Sequence, residues 1–468
     1  MAGSLSGLNT ALSALQYNRV VMDVASNNVA NAGTDGYVRR RAVGESIGSS
    51  AVPALWSRVP GAEGGVGSGV RVGSIDRMAD PYLDARARRE HGAQSYLDTR
   101  SAVLQRVESG FGEPGNAGVA AAITAFRSSW HDLANSPNSE AARGLVISRG
   151  QALASAVNAQ ANALDAEMGD QRLRLLGHVV DVNTTAAELA ATNRAIATAR
   201  LDGADTGSLA DQRDQLALRL ADLAGGTATA RADGGFDVTV NGVALVTGSQ
   251  AGTLAIASGV TPAGAADGAP VTFAITMGPT TTTVPAGLSG VVGATEELLT
   301  TTLPGYAADL STVVAGLADQ VNTVHQAGYD RTGTAGQPFF TYTAGNAAGT
   351  LAVAITDPSA VAASGVAGGA VDGSNAAALG TAGSAEESYR RLVTGFGSQV
   401  ASVKQLAATQ RLLTAQVDNA REQLSGVSLD EEMVTMLSAQ RAYEAAARVM
   451  TVVDSVLDTL INRTGVTR

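Results

Sequence analysis

Both ends of this chain carry apolar residues at the spacing of a helix seam, and no other feature restricts the fold as strongly. Near the C-terminus, Leu429, Met436, Tyr443, Met450 and Leu457 recur every seven residues. Ala439, Ala446, Val453 and Leu460 follow three residues behind the last four of them, which completes an a/d heptad pattern. Ser428, just after the Ser425-Gly426 stop, is placed to cap this helix, with Glu431 three residues on. Near the N-terminus, Leu5, Leu8, Leu12, Leu15, Met22 and Val29 follow a 3-4 spacing with one register skipped. A helix of that length is roughly 40 Å long and cannot bury so narrow a stripe against itself. The economical solution pairs the two seams as a coiled coil and makes everything between them an insertion.

Long helical patterns fill much of that insertion. Leu83, Leu97, Leu104 and Phe111 echo at multiples of seven, and a pattern with few breakers runs from Ser136-Pro137 to about Arg200. Ser208 is read as the cap of a shorter helix carrying Leu209, Leu216, Leu220 and Leu223. Another helix is expected from about Glu296 to Ala327, kinked at Pro304. Tyr389, Phe396, Val403, Val417 and Leu424 form one stripe with Gln410 in register, and Leu392, Leu406 and Leu413 form its companion. Aromatics make up only 4% of the chain against 45% hydrophobic residues, so the cores must rest on Ala, Leu and Val, which suits close-packed helices.

Between about residues 226 and 290 the period changes to two. Phe236, Val238 and Val240 alternate, Asn241-Gly242 signals a hairpin before Val243 and Leu245, and Val271, Phe273, Ile275 and Met277 alternate again. Residues 330–385 are Gly/Ala-rich with one strand candidate, Leu351–Ile355, and too long for a bland loop. The expected fold is mainly α with a small inserted β domain, built from elongated, nested, discontinuous domains. Residues 1–36 with 428–468 form the terminal coiled-coil core. Residues 37–225 with 291–427 form an elongated helical bundle whose 330–385 stretch is an irregular arm. Residues 226–290 form the outer β domain.

The chain offers little to chemistry. It has no cysteine, which excludes disulfides, thiolate nucleophiles and Cys-ligated zinc. His91, His131, His178 and His325 stand far apart with no metal-ligand spacing, and each reads as structural or exposed. No G-x-S-x-G elbow or P-loop motif is present, and Lys404 is the only lysine. The run GGVGSGV from Gly64 to Val70 precedes the strand-like VRVGSI and reads as a turn. The pairs Glu431-Glu432 and Glu386-Glu387 stand at helix starts, where carboxylates complement the macrodipole. A net charge of −11 without a basic stripe argues against nucleic acid, and Arg39-Arg40-Arg41 reads as a packing or solvated cluster beside a turn. No cofactor, metal or catalytic group is expected. The N-terminus lacks the basic and apolar regions of a cleavable signal, and no segment approaches the ~20 apolar residues of a membrane span. By these rules alone the chain is a soluble cytoplasmic protein.

Several stretches change that default. SNNVANAGTDGYVRR, from Ser26 to Arg40, resembles the S-N-N-[IL]-A-N-x-x-T-x-G-Y/F signature that follows the terminal helix of bacterial flagellar axial proteins. GVRVGSIDRMADPYLDARAR, LANSPNSEAARGLVISRGQALA, LADQVNTVHQAGYDRTGTAGQPFF, AVAITDPSAVAAS and SGVSLDEEMVTMLSAQRAYEAAARVMTVVDSVLDTLI resemble blocks of the hook-associated protein 1 (FlgK) family. The match is spread over most of the chain except about 226–290. A hook or distal-rod subunit of the same superfamily is the alternative, and the GYD…FF block and the length speak against it.

The resemblance implies a structural, non-enzymatic subunit of the hook–filament junction. It implies self-assembly into a ring layer, contacts with the flagellar hook protein and a second hook-associated junction protein, and an export chaperone on the C-terminal helix. It also implies secretion through the flagellar type III apparatus without a cleaved signal, with no membrane insertion. In the signature, Asn27, Asn28 and Asn31 would bond backbone groups where the helix ends. Gly33 and Gly36 would supply positive φ or close approach, and Tyr37 would pack the start of the connecting segment. The assembly seam would comprise Leu5, Leu8, Leu12, Leu15, Met22, Val29, Leu429, Met436, Tyr443, Met450 and Leu457.

Overall fold

The computed structural model describes residues 2–47, 69–113, 115, 118–368, 371–381 and 383–459, with the side chains of residues 2–6 and 384 left aside. Helix α1 (Ala2–Ala30) leads through a turn into β1 (Arg40–Ser46), which pairs antiparallel with β2 (Val70–Arg77). Four helices follow: α2 (Pro81–Phe111), α3 (Val119–Asn135), α4 (Glu140–Leu201) and α5 (Gly207–Ala224). A four-stranded sheet takes β3 (Thr227–Ala230), β4 (Phe236–Val240), β5 (Val243–Thr247) and β6 (Gln250–Ala251) in sequence order. A three-stranded sheet takes β7 (Thr253–Ser258), β8 (Thr272–Met277) and β9 (Thr280–Val284). The chain returns to helix in α6 (Gly290–Glu297), a π turn (Leu298–Thr302) and α7 (Leu303–Ala327). Short elements follow: β10 (Phe340–Thr341), α8 (Ala347–Thr350), β11 (Ala352–Val353), a 3-10 turn (Pro358–Ala360) and α9 (Ser374–Thr381). The long helix α10 (Ser384–Ser425) and α11 (Leu429–Asp458) end the described chain. The protein is mainly helical with a small β insertion.

The chain divides into two compact units. One comprises Met1–Ala87, Ala195–Gln215 and Ala415–Arg468, and the other Arg88–Arg194 and Leu216–Thr414. In the first, α1 packs along α11 in opposite directions: Gly7 faces Val453 and Asn28 meets Glu432. This unit also takes in the β1–β2 hairpin and the neighbouring ends of α4 and α5, beyond the two terminal helices alone. Ion pairs explain the difference, since Arg40 and Arg77 of the hairpin both bind Asp211 of α5.

The second unit holds two cores. One is aromatic-rich: Phe126 and Trp130 of α3 meet Phe339 and Phe340, with Leu133, Leu164, Leu298 and Phe396 around them. The other joins both inserted sheets to α4 and α5 through Leu175, Val182, Leu189, Leu220, Val238, Phe273 and Ile275. The β insertion therefore closes on helices outside residues 226–290.

Local differences from the sequence reading have local causes. Asn241 (φ 44°) and Gly242 (φ 84°) make the expected two-residue hairpin turn. The helix expected to start at Ser208 starts at Gly207, whose N–H is held by the Asp205 carboxylate at 3.0 Å. The expected kink at Pro304 is a π turn just ahead of it. Leu303 N–H bonds the Leu298 carbonyl five residues back, which accommodates a proline with no N–H of its own, and the helical run begins at Gly290, ahead of Glu296. The Leu351–Ile355 strand shrinks to Ala352–Val353, paired with only two residues of β10. On α10 the first stripe buries Tyr389, Phe396, Val403 and Val417 but leaves Leu424 exposed, and in its companion Leu392 is partly buried while Leu406 and Leu413 are exposed.

Candidate functional site

Asn27, Asn28, Asn31 and Tyr37 of the signature converge where α1 ends, and Asn28 is their centre. Its side chain is fully buried. The amide oxygen accepts Arg40 N–H at 3.1 Å and the Tyr37 hydroxyl at 2.8 Å. The amide nitrogen donates to the Arg40 carbonyl at 2.8 Å and to Glu432 Oε2 at 3.1 Å. All four hydrogen-bonding positions of the amide are thus filled. One side chain fixes the first residue of β1, the aromatic ring beyond the turn and the start of the C-terminal helix.

The neighbours of Asn28 shape the turn. Asn31 Nδ2 donates to the Asn27 carbonyl at 2.9 Å, where α1 runs out of partners. Asn27 Oδ1 accepts from Asn31 Nδ2 and from the Tyr37 hydroxyl, so its amide works on side chains. Gly36 takes φ 73°, and a Cβ there would collide with Gln215. Gly33 has neither a positive φ nor anything close to it, so the expectation placed on it fails. The glycine run from Gly64 lies outside the described residues as far as residue 68.

Glu432 continues the network into α11. Only 2% of this residue is exposed, and its other oxygen accepts Arg39 Nε at 2.7 Å. Arg39 also reaches Glu431 at 2.7 Å, and its backbone N–H bonds the Ser425 carbonyl. Ser428 caps α11 by accepting Glu431 N–H, but the Glu431 side chain goes to Arg39 and does not return to the cap. On the far side of the turn, Arg40 lies over the Tyr37 ring and reaches Asp205 and Asp211, both at 3.3 Å. Arg77 binds Asp211 at 2.7 Å and Asp214 at 2.8 Å. Burial pushes the Asp211 carboxyl up, against the opposing pull of Arg77 and Arg40. Arg39 and Arg40 are therefore internal ion-pair partners, while Arg41 is exposed.

The seam residues fall in three groups. Leu8, Leu15, Met22, Val29, Met436, Met450 and Leu457 are partly buried. Leu12 is 44% exposed, Leu429 and Tyr443 are exposed as well, and the side chain of Leu5 lies outside the described residues, as does Leu460. The most buried positions are smaller: Ala11, Ala25 and Asn28 on α1, and Glu432, Ala439 and Ala446 on α11. The latter three are spaced by seven, so the contact line runs through the small and polar positions beside the large ones. Small side chains let two helices approach closely.

Roughly 110° round α11 from that line lies a second stripe. Val434, Ser438, Ala442, Ala445, Val449, Val452 and Val456 are three or four apart, uncharged and exposed. Sequence reading followed the largest residues and missed it. Among the described residues no cluster of His, Cys, Asp or Glu is arranged to hold a metal ion, and no helix is long and apolar enough to cross a membrane. His325 is internal: Nδ1 bonds the Gln337 carbonyl, Nε2 accepts Ala362 N–H at 2.9 Å, and burial lowers its pKa to about 4.

With this geometry in view, comparison with known proteins is specific. Residues 104–340 match the flagellar hook-associated protein FlgK helical domain. Residues 8–37 match the flagella basal body rod protein family, and residues 422–463 match the flagellar basal body rod FlgEFG protein C-terminal family. The chain is 30% identical to flagellar hook-associated protein 1 of Bacillus subtilis, over 100% of its own length and 99% of the relative's. It is 25% identical to the Escherichia coli protein of the same name, over 97% and 99%. Its fold resembles the flagellar hook junction protein FlgK of Burkholderia pseudomallei, with a TM-score of 0.64 at 17% identity, covering 73% of this chain and 100% of that one.

Proposed function

The chain belongs to the flagellar hook-associated protein 1 (FlgK) family, a family of structural flagellar proteins and not of enzymes, and from that premise we propose that it forms a tubular ring layer between hook and filament. The observation that carries this reading is the double-faced C-terminal helix. One line of α11 is used by α1 of the same subunit, and the uncharged Val434–Val456 stripe is left open for a neighbour. The Asn28–Glu432 network fixes where α1 and α11 meet, so the open stripe is presented in a set orientation. The terminal helices of the first unit would line the tube. The flanking layers would be the flagellar hook protein and a second hook-associated junction protein. Before export through the flagellar type III apparatus, a chaperone groove would cover the same exposed stripe.

The test is a strain lacking the gene. Finished hooks without filaments, with flagellin released into the medium, are expected by electron microscopy and immunoblot. Absent or truncated hooks would move the chain into the hook or distal rod, and normal filaments would remove it from the junction altogether. Chaperone binding that survives deletion of residues 429–468 would defeat the chaperone part alone.

A further inference from the structure

The β9 edge of the β insertion is open, and its chemistry selects a partner. β8 and β9 are joined by the two-residue turn Gly278-Pro279, with Met277 opposite Thr280. The pair flanking such a turn is hydrogen-bonded, so Thr280, Thr282 and Val284 bond β8, and the backbone groups of Thr281 and Thr283 point away from the sheet. Among the described residues nothing bonds those outward groups, and Thr280 through Thr283 are all exposed.

The other edges of the insertion do not suit β9. On β7, Asn183 of α4 occupies the outward groups of Leu254, donating to its carbonyl at 2.9 Å and accepting its N–H at 2.7 Å. β6 is two residues long. On β3, Ala228 and Ala230 lie opposite the buried Val238 and Phe236, so their side chains share the core face. Thr281 and Thr283 lie on the solvent face, beside Thr276 and Ala274. Paired strands share faces, so joining β9 to a β3 edge would set a core face beside a solvent face.

We infer that β9 is a docking edge for β9 of a second copy of this chain, the two strands running antiparallel about a two-fold axis at Thr282. Thr281 then exchanges both backbone bonds with Thr283 of the second copy, and Thr283 with Thr281. The edge is self-complementary in every respect the sequence controls. No charged residue occurs between Asp267 and Glu296, so although each copy carries a net charge of −11 the paired strands set no like charges opposite each other. Threonines stand beside threonines, a favourable cross-strand pair. Pro279 and Pro285 bound the strand, which keeps the added pairing short. A two-fold pair sets its copies in opposite directions, so on the tubular reading above it belongs to the unassembled chain. It stands on the insertion alone.

The absence of native cysteine makes a direct test available. In the proposed pair Thr282 faces its own counterpart at a non-hydrogen-bonded position, with Cα atoms about 4.5 Å apart, inside the range a disulfide spans. Thr280 faces Val284. Oxidation of purified full-length T282C should give a covalent dimer, and T280C should not cross-link. Adding T283P, which deletes an outward N–H while leaving the β8 pairing intact, should abolish the T282C dimer. Sedimentation of the unsubstituted chain over a concentration series should show a reversible dimer that T283P loses. Equal cross-linking of T282C and T280C, a dimer that survives T283P, or a strictly monomeric unsubstituted chain would each overturn the inference. None of those results touches the junction role, which the deletion strain tests.

Discussion

The aromatic core of the second unit and the terminal helix pair are both helix-built, yet they are finished to different degrees. In the first, Trp130, Phe339, Phe340, Leu133 and Leu164 are almost wholly removed from water. In the second, the buried line is Ala11, Ala25, Asn28, Glu432, Ala439 and Ala446, and the larger Leu12, Leu437, Val449 and Val452 stay in solvent. Burial at about 25 cal/mol per Å² rewards the large side chains of the core and leaves most of that gain unrealised at the terminal pair. The core is complete within one chain, whereas the terminal pair is joined by a polar network and leaves much of its apolar surface in solvent.

The contrast predicts opposite responses to truncation. Trp130→Ala opens a cavity beneath Phe126 and Phe339 and should cost about 3–5 kcal/mol, read as a lowered denaturation midpoint with little change in slope. Asn28→Ala removes a much smaller side chain, yet it strands the Arg40 backbone and one oxygen of a buried Glu432 and leaves the Tyr37 hydroxyl only its longer bond to Asn27. It should cost about 3 kcal/mol, from unpaired polar groups and not from lost apolar area. Loosened α1 protection in hydrogen exchange, with unchanged protection in α3, would locate the effect. An Asn28→Ala midpoint equal to the unsubstituted one would mean that the network does not hold the pair.

The same contrast explains what the sequence disclosed. Period and punctuation were readable: the helical runs, the Asn241-Gly242 turn and the Ser428 cap rest on local rules, and local structure obeyed them. The terminal contact line was not, because heptad reading follows large apolar residues and this pair is centred on alanine, asparagine and glutamate. Nor was the role of asparagine beyond the signature, where Asn28 and Asn31 do bond backbone groups as expected. Asn28, Asn183, Asn193 and Asn322 each sit on a helix and clasp the N–H and C=O of one strand residue: Arg40, Leu254, Phe236 and Phe340. The amide imitates a neighbouring strand where the sheet has none. The available signal was a poor helix former within an apolar helical pattern, four times over. Its partners, 12 to 71 residues away, carry no matching sequence mark. The signature pointed to Asn28 but not to Glu432.

Acid should divide the two regions differently. His325 lies in the aromatic core between Trp130 and Phe339, neutral, with Nε2 accepting a backbone N–H that a protonated ring could not accept. Burial lowers its folded pKa from 6.5 to about 4. Between those values the unfolded chain binds the extra proton, so the contribution is complete above pH 6.5 and is lost as pH falls toward 4. The loss is about 3 kcal/mol. The terminal helix pair contains no histidine. Denaturation midpoints followed from pH 7 to 4 should drop for the unsubstituted chain, and His325→Gln should flatten that slope while starting from lower stability. An unchanged slope would show that His325 is not the group responsible.

The smallest effect on stability belongs to the stripe left open. Val452→Asp changes a side chain that is 60% exposed, and exposed substitutions of this kind shift folding by about 0.5 kcal/mol or less. Leu12→Asp, at a half-exposed site, should behave similarly. Both variants should keep their circular dichroism, melt with the unsubstituted chain and still be exported, yet fail to restore filaments in the deletion strain. The loss would follow from placing a carboxylate in the proposed subunit contact, where an unpaired charge shut off from water is far costlier than in solvent. A folded, exported Val452→Asp protein that builds normal filaments would show that the uncharged stripe is only a solvent face. A variant that melts several degrees lower would instead show that α11 completes a core within its own chain, and the distinction between the two regions would disappear.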